Sequence, residues 1–168
     1  MNDFFLEFSK KESGKYYFKD DTVASGIGSR SPYKVYNLNI DYKNQKIQIK
    51  NEIGLRNVGS ISCKLPLSSK QKEFSIRTRN HFFKLFRKDK KSFIIICGNE
   101  HFKKSISDNL SLCNLEKYTF NTQFELAIYG KSDYNGYEIK TEYNLIFENR
   151  ENALIDLIQF YKDLINGL

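Results

Sequence analysis

Apolar and polar residues alternate from Lys34 onwards: Tyr36, Leu38, Ile40 and Tyr42 are set against Val35, Asn37, Asn39 and Asp41. After the polar break Lys43-Asn44-Gln45, Ile47, Ile49 and Ile53 continue the same rhythm. A period of two marks strands with one face buried, so these segments predict a hairpin. Ser60 to Leu65 gives a third strand, ended by the polar stretch Ser68 to Lys72. Next, Phe74, Ile76 and Thr78 face one way while Arg77 and Arg79 face the other. Phe93-Ile94-Ile95-Ile96-Cys97 is apolar at every position, which predicts a strand buried on both faces in the middle of the sheet. Phe124, Leu126 and Ile128, then Tyr137, Ile139, Tyr143, Leu145 and Phe147, predict two more strands. The stretch between them, Lys131 to Gly136, ends in Asn135-Gly136, a strong turn signal.

Two segments change to helical spacing. Asn99 can cap a helix running through residue 110 with Phe102, Ile106 and Leu110 on one stripe. From Asn149 to residue 166, Leu154, Leu157, Ile158, Tyr161, Leu164, Ile165 and Leu168 recur at intervals of three and four, with Glu151 in the first turn. That pattern predicts a C-terminal helix lying across one face of the sheet, with Lys162 on its solvated side. The first 32 residues are less patterned. Residues 4–8 and 15–19 read as two short strands joined around Gly14, and Thr22 to Pro32, with Gly26 and Gly28, as a loop. The expected fold is one α+β domain, residues 1–168. Its mainly antiparallel sheet is built from hairpins, with a short helix near 99–110 and the amphipathic C-terminal helix packed on the sheet.

Composition fits that picture. A chain of 168 residues buries about 70% of its unfolded surface. Its 40% hydrophobic and 15% aromatic content excludes disorder as the default state. Cys63, Cys97 and Cys113 are odd in number and share no C-x-x-C spacing. They argue against a disulfide framework or structural zinc and for a reducing, cytoplasmic setting. The first residues carry acids where a signal peptide needs bases. The longest apolar run is five residues against the roughly 20 that span a bilayer. No membrane insertion is expected.

Charge is unevenly spread. Residues 1–80 hold 15 cations and eight acids, residues 81–104 seven and two, and residues 105–168 five and ten. A basic front and an acidic rear suggest one face for a polyanion or an acidic protein, with the acidic last third pointing elsewhere.

The motifs that could carry chemistry are few. Gly130-Lys131-Ser132 has the ending of a phosphate-binding P-loop, but Glu125 stands where the motif needs its first glycine. Gly26-Ile27-Gly28 precedes a strand and not a helix, which leaves no helix N-terminus for a phosphate. His81 and His101 are the only histidines. Cys97 precedes His101 by four residues, a spacing that could mimic a thiol and base, yet it ends the most apolar strand and reads as a small buried hydrophobe. Glu138-Ile139-Lys140, with Glu125 or Asp133 as a further acid, resembles the metal-dependent nucleases that place an acidic residue before Glu-x-Lys. That resemblance implies metal-activated water for phosphodiester cleavage. The family's Pro-Asp is missing, and Glu138, Lys140 and Glu142 also form the wet side of an amphipathic strand.

The strongest binding signal is the run from His81 to Lys91. With Arg77, Arg79, Lys84, Phe86, Arg87, Lys88, Lys90 and Lys91 it combines cations with aromatics at the expected tip of a hairpin. These residues predict a binding site and no catalytic or metal centre. The function expected first is a non-enzymatic protein-interaction module of the small inhibitor, immunity or adaptor kind, with an acidic protein as partner and no cofactor. Nucleic-acid binding through the basic aromatic hairpin 77–91 is the second reading, and a nuclease centred on Glu138 and Lys140 the third.

Overall fold

The computed structural model describes residues 1–24, 28–54, 56–68, 71–79, 92–120 and 124–168. The protein is α+β. It opens with helix α1 (Asn2–Lys11) and then runs through β1 (Lys15–Ala24), β2 (Arg30–Tyr42), β3 (Gln45–Ile53), β4 (Val58–Leu65), β5 (Phe74–Thr78) and β6 (Phe93–Cys97). Helix α2 (Glu100–Leu112) and the short α3 (Lys117–Phe120) follow, then β7 (Leu126–Asp133), β8 (Gly136–Asn144) and helix α4 (Arg150–Gly167). All strands join one antiparallel eight-stranded sheet in the order β1-β2-β3-β4-β8-β7-β5-β6.

The hairpins form where the turn chemistry asks for them. Tyr42 pairs with Gln45, and the two residues between, Lys43 and Asn44, both take positive φ. That is the twist a two-residue hairpin needs, and asparagine tolerates it well. Asp133 pairs with Gly136, so the second turn is shorter than its sequence suggests. Gly136 has φ 149°, and a Cβ there would lie 2.7 Å from the Leu65 carbonyl oxygen, so glycine is required on both counts.

One face of the sheet is the core. Leu38, Ile40, Ile47, Ile49, Ile61, Ile76, Ile128, Tyr137 and Ile139 are all at most 1% exposed, and the helices cover them. Helix α1 sets Phe5 against Tyr16 and Tyr36, with ring centroids 5.8 and 5.6 Å apart. Helix α2 sets Phe102 against Phe74 at 5.8 Å. Helix α4 crosses the middle and buries Leu154, Leu157, Ile158, Phe160, Tyr161 and Leu164. Its Tyr161 hydroxyl donates to the Ile61 carbonyl at 3.0 Å and shares a hydrogen bond with the Thr141 hydroxyl at 2.6 Å. A phenol can be buried this way because its polar end is satisfied.

Three expectations are corrected. Residues 4–8 are helical: Met1, Phe4, Phe5 and Phe8 pack at helical spacing, with Asp3 in the first turn and Lys10 and Lys11 in the last. Most of the expected loop Thr22 to Pro32 is ladder, since Thr22 pairs with Pro32, Val23 with Ser31 and Ala24 with Arg30. Pro32 is accommodated because β3 pairs with β2 only as far as Lys34 and Ile53, beyond which a missing N–H breaks no ladder bond on that side. Finally, β6 is not central but terminal. Its inward residues Phe93, Ile95 and Cys97 pack on the core, while Ile94 and Ile96 are 44% and 65% exposed.

Helix α2 ends close to the expected place, and its Asn99 side chain accepts from the Phe102 N–H at 2.8 Å. Asn149 stands in the left-handed region before α4 and makes no side-chain cap. No helix among the described residues is long and apolar enough to cross a membrane.

Candidate functional site

The β5–β6 hairpin exists in the register Phe74 with Cys97, Ile76 with Ile95 and Thr78 with Phe93, and the Arg79 N–H donates to the Ser92 carbonyl at 2.9 Å. Arg77 stands opposite Ile94 on the outer face and is exposed. Among the described residues β6 pairs with β5 alone. Its other side therefore presents backbone N–H and C=O groups away from the sheet, as any terminal strand does. Lys84, Phe86, Arg87, Lys88, Lys90 and Lys91, with His81, lie outside the described residues.

Beside this edge runs an open groove of about 600 Å³ between β6 and α2. Phe93, Ile95 and Leu110 give it an apolar floor. Lys103, Lys104, Ser107, Asp108 and Ser111 of α2 form one side, and Arg79 and Glu116 stand at its margins. The helix builds this wall because Ile106 and Leu110 are buried in the core, which turns the intervening polar residues outwards. Lys103 reaches back to Glu100 at 3.0 Å, so that pair is locally neutral. Ile94, Ile96 and the α2 wall were not singled out by sequence reasoning. The available signal was the run 93–97 itself, which is apolar at outward as well as inward positions.

The other candidates are dispersed. Glu138 stands on the outer face between Lys64 of β4 and Lys131 of β7, and Lys140 is paired with Glu142 at 3.0 Å. Leu126 pairs with Tyr143 and Lys131 with Glu138, which puts Glu125 about six residues along the strands from Glu138, or roughly 20 Å. Those two acids cannot share a metal. Asp133 is nearer Glu138, but its carboxylate accepts the Asn135 N–H of the turn at 2.7 Å. Among the described residues no group of three His, Cys, Asp or Glu side chains converges as a metal site would require. Gly130 lies within β7, where a Cβ would strike the Tyr137 hydroxyl at 2.2 Å, so it serves packing.

The thiols are similarly placed. Cys97 is half-buried on the inward side of β6 and His101 is exposed on α2. Burial pushes the Cys63 thiol up to about 11. Burial and the neighbouring Asp163 carboxylate, 3.7 Å away, push Cys113 up to about 12. Neither is a thiolate nucleophile at neutral pH.

The outer face of the sheet is not a uniformly basic surface. The acidic last third of the chain supplies β7 and β8, which sit between β4 and β5, so acids and bases alternate across strands. Within single strands of this face Lys50 pairs with Glu52, Lys140 with Glu142 and Lys19 with Asp21. Lys131 and Lys140 also lie 5.8 and 6.0 Å from the Tyr129 ring. Strands of the acidic last third thus share this face with strands of the basic front. No family model, curated protein or solved structure matches the chain.

Proposed function

We propose that the protein is a non-enzymatic protein-interaction module of the small inhibitor, immunity or adaptor kind, acting in the cytoplasm on an acidic protein partner. The observation that carries this reading is the β6 edge, which pairs with β5 alone among the described residues and turns Ile94 and Ile96 to solvent. Apolar side chains on a terminal strand invite pairing with another chain, and proteins that need no such pairing blunt the strand with charge. The partner's acidity is argued from composition. Residues 77–104, from the end of β5 through β6 to the start of α2, hold nine cations and two acids, a balance that attracts an acidic surface and speeds its association.

The test is photo-crosslinking in cell extract from a photoreactive residue at position 96, with the same residue at position 48 of β3 as control. A discrete adduct with an acidic protein from position 96 alone, lost on Arg77→Glu, is the expected result. Equal labelling from both positions, or an adduct with nucleic acid, would overturn the reading.

A further inference from the structure

We propose that one end of the sheet, where the β2–β3 and β7–β8 turns lie beside the ends of α1 and β4, docks on an anionic lipid surface without crossing it. Strand register brings the parts together. Tyr42 pairs with Gln45 across Lys43 and Asn44. Ile47 pairs with Cys63, so Lys46 and Lys64 are cross-strand neighbours about 5 Å apart on the outer face. Leu65 pairs with Tyr137, and the close approach of Gly136 to the Leu65 carbonyl puts Pro66 and Leu67 beside the Tyr134-Asn135 turn. The Lys162 ammonium, held between Glu12 and the Tyr42 ring, brings the end of α1 to the same place.

The first observation is apolar. Tyr134 is 99% exposed at the tip of its hairpin and Leu67 is 57% exposed next to it. Neither contributes packing to the core in proportion to its size. A tyrosine presented in this way carries the amphipathic ring that settles at headgroup level, and a neighbouring leucine supplies apolar area for the acyl boundary.

The second is charge. On the strands and turns of this end Lys15, Lys43, Lys46, Lys64 and Lys131 are exposed, Lys10 and Lys11 close α1, and Lys72 precedes β5. These eight lysines face four acids, Asp41, Glu73, Asp133 and Glu138. Among the described residues Lys10, Lys11, Lys15, Lys43, Lys46 and Lys64 enter no ion pair.

The third is the kind of cation and its layout. Every cation of this end is a lysine. The described arginines lie elsewhere: Arg30 at the far end of the β1–β2 ladder, Arg56 between β3 and β4, Arg77 and Arg79 at the end of β5, and Arg150 at the start of α4. Arginine's planar fork suits bidentate recognition of single phosphates and bases. Lysine is a point charge that answers the averaged field of many headgroups while its stem lies along apolar surface. The lysines also stand around a rim formed by several strands and a helix. A plane of headgroups meets them together, whereas a nucleic acid needs them along one track.

The experiment uses the full chain and vesicles of phosphatidylcholine, alone or mixed with phosphatidylserine. The chain has no tryptophan, so Tyr134→Trp introduces a single indole at the tip. Ile146→Trp, exposed at the opposite end after β8, is the control. Emission of the Tyr134→Trp protein should move to shorter wavelength on the mixed vesicles, stay unchanged on phosphatidylcholine alone, and return in molar salt. The Ile146→Trp protein should show no shift. In co-sedimentation, Lys43→Gln and Lys64→Gln should each raise the lipid concentration for half-binding about fivefold, and Arg56→Gln should leave it unchanged. Circular dichroism and melting confirm that each variant is folded. No shift and no co-sedimentation on the mixed vesicles would overturn the proposal, and so would equal shifts from positions 134 and 146. An equal shift on duplex DNA would also overturn it, by making the rim a nucleic-acid site. Crosslinking from position 96 tests the protein partner separately, so either reading can fail alone.

Discussion

Lys162 of α4 breaks with the expectation of a solvated position, and the consequence can be measured. Its ammonium lies 2.6 Å from the Glu12 carboxylate, just past α1, with the two side chains only 16% and 17% exposed. The same ammonium stands 5.6 Å from the Tyr42 ring. The pair joins residues 150 apart in sequence, tying the end of the first helix to the last. An exposed pair would contribute about 0.2–1 kcal/mol, and removing one partner of a fully buried pair costs about 3–5 kcal/mol. This geometry lies between, near the value of a charged hydrogen bond, about 1.5–3 kcal/mol. Lys162→Met keeps the apolar stem and removes the charge, so it isolates that contribution; Glu12→Gln does the same from the other side. Each single change should cost about 1.5–3 kcal/mol, and the double change less than their sum by about 1–2 kcal/mol. Urea melts of the four proteins, at low and at molar salt, give the coupling directly. Additive single effects would show that the pair is screened by solvent and that α1 and α4 are joined by apolar contacts alone.

Leu157→Ala or Ile158→Ala in α4 should cost about 2–5 kcal/mol in the same melts, because both residues are 1% exposed in the core. Burial raises the phenols of Tyr137, Tyr143 and Tyr161 above the usual 10.0. Stability from these groups is therefore complete below pH 10.0 and declines as pH rises above it. Phenolate absorbance should show these rings ionising only with unfolding, and free titration in the folded state would refute their burial. Tyr143→Phe should cost about 1–3 kcal/mol, since the buried Asn51 carbonyl oxygen, 2.6 Å away, loses its donor. Glu138→Ala and Lys140→Ala should leave folding intact and abolish no activity; metal-dependent cleavage of DNA or RNA lost in both variants would revive the nuclease reading.

What the sequence made legible was local. Helix α4 announced itself because Leu154, Leu157, Ile158, Tyr161 and Leu164 share one face, and a helix repeats that face every turn. The β2–β3 hairpin was equally plain, since period-two alternation and a Lys43-Asn44 turn point to the same pairing. Helix α1 was missed because Phe4, Phe5 and Phe8 in a short window fit either period, and only the contact of Phe5 with Tyr16 and Tyr36 selects the helix. The groove was illegible for a different reason. Its floor and walls come from β6, α2 and Glu116, and no spacing along the chain states that the polar flank of α2 faces an open strand edge.

Strand order also decides what the charge distribution means. Read along the chain, the basic front and acidic rear suggest two opposed faces. Because β8 and β7 return to lie between β4 and β5, Glu138 ends up between Lys64 and Lys131, and Lys140 is held by Glu142. The middle of the outer face therefore offers a polyanion few cations that are not already engaged by acids of the same face. Binding to phosphates draws on many cations arrayed along one track, and interleaved strands do not supply one. At the end of the sheet formed by β5 and β6, Arg77 stands opposite Ile94 on the outer face.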